Sequence, residues 1–266
     1  MTGCGAPSPP RLCYPQHDMH RIRSLALLAL LLPVANALSQ VNLQPAYYSR
    51  LNTFGFFGEY SNDSSHILLG VSQNRKLLDF GGTYSRRVLL NRFVDGQYMA
   101  ELSPIMLESD PVFHVTYVAS LPPPGFTVTE NLTFSQVCRP SSATFGGVVG
   151  GEPYLETQTI TCGRRWTFGE GFSPIGFKWN FRPRHRLQPV FTMLGGYMFS
   201  TQPIPVDAAG SWNFTFELGA GFEFYRSATR SIRAEYRYHH ISNAGTADLN
   251  PGIDNGLFQV TYAFGR

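Results

Sequence analysis

From Trp212 to Phe224 the chain alternates without interruption. Trp212, Phe214, Phe216, Leu218, Ala220, Phe222 and Phe224 share one parity, and Asn213, Thr215, Glu217, Gly219, Gly221 and Glu223 share the other. Side chains of a β-strand point alternately to opposite faces, so this stretch makes a strand with one apolar and one polar face. The apolar face needs a dry partner, either a protein core or lipid.

The same period recurs between turn residues along the chain, which predicts an all-β fold. A first strand lies within Phe54–Val71. A second runs from Leu77 to Leu89, with Leu78, Phe80, Tyr84 and Val88 opposing Asp79, Thr83, Ser85 and Arg87. Asp95-Gly96 predicts a tight turn, after which Tyr98, Ala100, Leu102 and Met106 mark a third strand. Ile175, Phe177, Trp179 and Phe181 mark a fourth, Leu187–Ser200 a fifth and Trp212–Phe224 the sixth. The seventh sets Ile232, Ala234, Tyr236 and Tyr238 against Arg233, Glu235, Arg237 and His239. The eighth sets Phe258, Val260, Tyr262 and Phe264 against Gln259, Thr261 and Gly265. Residues 108–170, with Pro122-Pro123-Pro124, Gly146-Gly147 and Gly150-Gly151, read as one long loop. Within it, Phe113–Val118 and Val128–Phe134 are expected as short strands standing above a membrane.

Alternation alone fits a sandwich as well as a barrel. Connections after the second, fourth and sixth strands are short, and those after the third, fifth and seventh are longer. Short periplasmic turns alternating with long outer loops are the outer-membrane pattern. Only 15% of the chain is charged and 14% is aromatic. A mean hydropathy of −0.12 is compatible with a membrane barrel, which averages its lipid band against a polar lumen. Arg21 and Arg23 precede the apolar run Leu25–Val34, and Ala35-Asn36-Ala37 supplies a small-x-small cleavage site. Residues 19–37 are therefore expected to be a secretory signal peptide, and residues 1–18 an over-extended start of the reading frame. Residues 38–266 are expected to form one domain, an eight-stranded antiparallel transmembrane β-barrel of the cell outer membrane.

Cys138 and Cys162 flank a Gly-rich stretch, and an exported compartment permits a disulfide between them; two unpaired thiols are the alternative. No C-x-x-C pattern or His/Cys cluster occurs, so neither metal nor cofactor is expected. A formal net charge of +3 with no basic patch or phosphate loop gives nucleic acid no footing as a partner.

The polar residues that break the pattern fall together. Tyr238-His239-His240-Ile241-Ser242-Asn243-Ala244-Gly245 is followed by Asn250-Pro251-Gly252-Ile253-Asp254. His240 and Ser242 are two apart and share a face. A histidine beside a serine hydroxyl is the minimum for an activated nucleophile. Asp254 returns on the next strand, about 4.8 Å away, within reach of the imidazole. The competing reading is ordinary turn chemistry, with Ser242 a mere loop hydroxyl. His239 and His240 point to opposite faces, which argues against a metal pair. No Gly-x-Ser-x-Gly elbow occurs.

His-x-Ser-Asn-Ala-Gly followed by Asn-Pro-Gly-Ile-acid resembles the C-terminal signature of the lipid A 3-O-deacylase (PagL) family of outer-membrane esterases. The resemblance implies a barrel that removes the 3-O-linked hydroxyacyl chain of lipid A, with lipopolysaccharide as substrate and membrane lipid as surroundings. It implies His240 as base, Ser242 as nucleophile and Asp254 as acid. The family's best-known acid is a glutamate, one methylene longer than Asp254. The motif covers only the last strand pair.

Strand phase supports this reading. His240 and Ser242 continue the apolar row of the seventh strand, and Asp254 continues that of the eighth. All three are thus expected on the lipid side, at the outer-loop end. In the expected mechanism Ser242 attacks an ester carbonyl and Asp254 holds the imidazole tautomer. Asn243 is the expected oxyanion donor, with a backbone amide near Ala244 or Gly245. A non-catalytic structural or adhesive barrel and a broader lipid esterase remain as rival readings.

Overall fold

The computed structural model describes residues 47–61, 63–120 and 125–266. The expected signal segment and residues 1–18 lie outside the described residues. Ten antiparallel strands are present: β1 (Asn52–Ser61), β2 (Lys76–Leu90), β3 (Val94–Ala119), β4 (Phe126–Leu132), β5 (Ser141–Val149), β6 (Glu152–Phe181), β7 (Leu187–Ser200), β8 (Trp212–Ser227), β9 (Arg230–Ser242) and β10 (Ile253–Gly265). Each of β1, β2, β3, β6, β7, β8, β9 and β10 pairs with two of the others, because β3 also pairs β6 and closes the ring. The result is an eight-stranded barrel with no open edge among these strands.

The faces invert the order of a water-soluble protein. Phe56 and Val88 are each 67% exposed on the outside, while Glu223, Arg237 and Asp95 are fully buried in the lumen. An apolar outer band around a polar interior is the transmembrane barrel arrangement. Buried charge requires partners, and the lumen supplies them in two layers. Near the short-turn end Glu223 accepts from Arg50 (2.7 Å), Lys178 (3.1 Å), Asn180 (2.8 Å) and Ser231 (2.5 Å). Nearer the other end Arg237 donates to Glu101 (2.8 and 3.1 Å), Glu217 (2.9 Å) and Glu235 (3.0 Å). These side chains fill the lumen.

Two elements differ from the sequence reading. Asp95-Gly96 does not turn: both residues lie on β3, paired with Leu90 and Leu89. The turn is made just before them, where Asn91 Oδ1 accepts the amides of Phe93 (2.8 Å) and Val94 (2.9 Å). An asparagine that caps its own backbone competes well with an Asp-Gly pair. Residues 108–170 are mostly strand. β3 and β6 run on past the barrel rim, and β4 and β5 flank them as a four-stranded flap in the order β4-β3-β6-β5. Cys138 and Cys162 are disulfide-bonded, Cα–Cα 5.8 Å, which ties the β4–β5 connection to β6.

The long connections are fastened at this same end by Arg75. Its guanidinium is fully buried and donates to the carbonyls of Gln73 (2.6 Å), Phe134 (2.7 Å), Pro205 (2.9 Å) and Ser135 (3.1 Å), and pairs with Asp110 (3.3 Å). One side chain thus joins the β1–β2, β4–β5 and β7–β8 connections.

Candidate active site

The last two barrel strands bring the sequence-predicted residues to one place. In the β9–β10 register Asp254 lies directly opposite His240. Asp254 Oδ1 is 2.7 Å from His240 Nδ1. An ionised carboxylate only accepts, so Nδ1 carries the proton and Nε2 is the basic nitrogen. Ser242 lies two residues further along β9 on the same outward face, half-buried. No hydrogen bond joins Ser242 to the imidazole among the described residues. Phe214 and Phe216 of β8 stand opposite Ser242 and His240 and continue the apolar outer face beside them.

Asp254 has the parity of Phe258 but is fully buried. The β1–β2 connection covers it. Leu68 N (2.6 Å) and Leu69 N (2.9 Å) both donate to Oδ2. Tyr238 Oη donates to Oδ1 at 2.8 Å, beside the imidazole. Four donors therefore fix both carboxylate oxygens, each of them worth more to a charged acceptor than to a neutral one. The neighbouring backbone is built for this approach. Gly70 packs so closely that a Cβ there would stand 2.6 Å from Asp254 N. Gly252 has φ +61°, and a Cβ there would stand 3.1 Å from His240 Cε1. The glycine of Asn250-Pro251-Gly252 is thus favoured by its left-handed backbone, with the His240 ring packed tightly beside it.

Residues 143–263 match the lipid A 3-O-deacylase (PagL) family model. That span contains His240, Ser242 and Asp254. None of the curated proteins matches the chain. Among solved structures, the outer membrane enzyme PagL is 13% identical, with TM-score 0.43, covering 81% of this chain and 99% of that one. Neisserial surface protein A is 9% identical, with TM-score 0.37, covering 81% and 96%. The outer membrane protein OprG from Pseudomonas aeruginosa is 10% identical, with TM-score 0.33, covering 82% and 98%.

Within the PagL-matching segment one expected role is not supported. Asn243 turns inward and is buried. Its Nδ2 donates to Ala209 O (2.6 Å) and Leu249 O (2.7 Å), and its Oδ1 accepts from Gly245 N (2.8 Å). Both amide protons are committed to folding the β9–β10 loop, so Asn243 is a loop anchor rather than an oxyanion donor. The motif's asparagine is explained by this loop, which it stitches to the β7–β8 connection. Conversely, Tyr238 and the Leu68/Leu69 amides escaped the sequence reading. Tyr238 looks like one more lipid-facing aromatic, and the only trace of the loop is an apolar run, Ile67–Gly70, outside any alternation. His239 points into the lumen and His240 away from it, so the two rings do not form one site.

Proposed function

We propose that this protein is an outer-membrane acyl hydrolase that removes the 3-O-linked hydroxyacyl chain of lipid A. The single observation carrying this reading is His240 on the outward side of β9, backed by the buried Asp254, with Ser242 beside it on the same strand. A polar group there is costly unless it works on something that resides in the lipid. The match of residues 143–263 to the deacylase family supports lipid A as that molecule. The outward apolar surface supports an outer-membrane location, reached by export through the expected signal peptide.

In the proposed mechanism the substrate ester enters between Ser242 and His240 from the membrane. His240 Nε2 takes the Ser242 Oγ proton as the oxygen attacks the carbonyl, and returns it to the leaving hydroxyl. Asp254 holds Nδ1–H and stabilises the imidazolium in between. Water then attacks the acyl-serine by the same base. Catalytic hydrogen bonds are often incomplete before substrate binds, and the Ser242–His240 contact closes on the bound ester.

The test is mass spectrometry of lipid A from cells carrying the wild-type protein or Ser242→Ala. The expected result is loss of one 3-hydroxyacyl mass from lipid A with the wild type and intact lipid A with the variant. Equal deacylation by both would remove Ser242 as nucleophile, and none by either would remove the activity.

A further inference from the structure

We propose that the Ile67–Val71 segment of the β1–β2 connection contacts the acyl chains of the lipid substrate and thereby positions the catalytic carboxylate. The inference rests on the proposed deacylase reading and adds to it a specificity element outside the motif. The segment has two sides with different chemistry. Its backbone is seated on the site: Leu68 N and Leu69 N hold Asp254 Oδ2, Ser65 N donates to Asp254 O (3.2 Å) and Val71 N donates to Pro251 O (2.8 Å). His66 Nδ1 closes the turn on Gly70 O at 2.6 Å. Its side chains face the other way. Leu68 and Leu69 are 64% and 65% exposed, with Ile67 and Val71 at 42% and 45%.

Four large aliphatic side chains in one short outer connection are costly in water. Here the segment that carries them is seated on Asp254 and Pro251, at the outer end of the β10 row. The occupant that fits is hydrocarbon, and the hydrocarbon held at this site is that of the lipid being cleaved. Contact with it removes Leu68 and Leu69 from water only while their amides remain on Asp254. Long-chain lipid thus reinforces a hold on the carboxylate that the two amides already make without it, and a short soluble ester adds nothing to it. Leu68 and Leu69 are positioning residues in this scheme, since neither touches the reacting atoms.

The test has two arms, both on the full chain in lipid. In the first, Leu68→Ser/Leu69→Ser, which keeps both backbone amides, is compared with Leu68→Met/Leu69→Met on lipid A and on p-nitrophenyl acetate. The serine variant is expected to lower the ratio of kcat/KM for lipid A to that for the acetate by about tenfold or more. The methionine variant is expected to restore it. An equal loss on both substrates, or none on either, overturns the proposal. In the second arm Leu69→Trp is placed in phospholipid vesicles containing lipid A brominated on its own acyl chains, and its fluorescence is compared with the wild type's three tryptophans. Added fluorescence quenched by the bromines supports the proposal; added fluorescence quenched only by iodide in solution overturns it. The second arm needs no turnover, so an inactive wild type would remove the deacylase reading without deciding the lipid contact.

Discussion

Asp254 lies across the ladder from His240 and accepts its Nδ1–H at 2.7 Å, yet the two lie on opposite sides of the β9–β10 loop, 14 residues apart in sequence. This pairing fixes which ring nitrogen is basic and directs it away from the carboxylate. Its consequences can be tested residue by residue.

Ser242→Ala and His240→Ala should each lower deacylation of lipid A by about 10³-fold or more. Both side chains sit on the outer surface, so the folded barrel should persist. Retention of a heat-dependent shift in detergent gels would separate lost chemistry from lost structure.

Asp254→Asn keeps the shape but presents its amide NH₂ or its carbonyl to donors that all expect an anion. Loss of a triad's acid costs up to ~10⁴-fold in kcat. Asp254→Glu should keep measurable activity, reduced by about 10- to 100-fold. The extra methylene displaces the carboxylate from either His240 or the Leu68/Leu69 amides, and a misplacement of ~1 Å costs about that much. Initial rates on lipid A in detergent would read both.

Tyr238→Phe removes one of the two donors on Asp254 Oδ1. A hydrogen bond to a charged group contributes about 1.5–3 kcal/mol, so kcat should fall by about tenfold or more. KM should change less, because Tyr238 acts through the carboxylate. A rise in KM with unchanged kcat would make Tyr238 a substrate contact instead.

Arg237→Ala leaves Glu217 without its cation and Arg233 alone to balance Glu101 and Glu235 in the lumen. Removing one partner of a buried ion network costs about 3–5 kcal/mol. The temperature at which the folded gel band is lost should fall clearly. In planar bilayers the intact protein should show no steady conductance, because paired side chains occupy the lumen.

Cys138→Ser with Cys162→Ser should leave the barrel folded and make the β4-β3-β6-β5 flap the first site of protease cleavage. Closing a 24-residue separation contributes about 3.5 kcal/mol in the chain-entropy account. That stabilisation falls on the flap, not on the eight-stranded ring. Limited proteolysis of vesicle-embedded protein would show it.

The sequence alone determined the strands whose two faces differ. Trp212–Phe224 and Ile232–Tyr238 alternate because each residue reports its own face, so parity also placed His240 and Ser242 together on the outside. The flap was legible in part: Phe113–Val118 and Val128–Phe134 were expected as strands and lie in β3 and largely in β4, whereas β5 and the outer half of β6 were missed because they stand above the membrane, where no lipid enforces alternation. The turn at Asn91 was hidden because its capping uses only local hydrogen bonds, which Asp95-Gly96 imitates. The burial of Asp254 under the β1–β2 connection came from tertiary structure alone, whereas its reach to His240 was already legible in the sequence. Leu68 and Leu69 reach it across more than 180 residues of sequence, and Tyr238 reaches it across the β9–β10 ladder. Hydrogen bonds of that kind join groups by position in space, and a linear pattern of residue types carries no record of them.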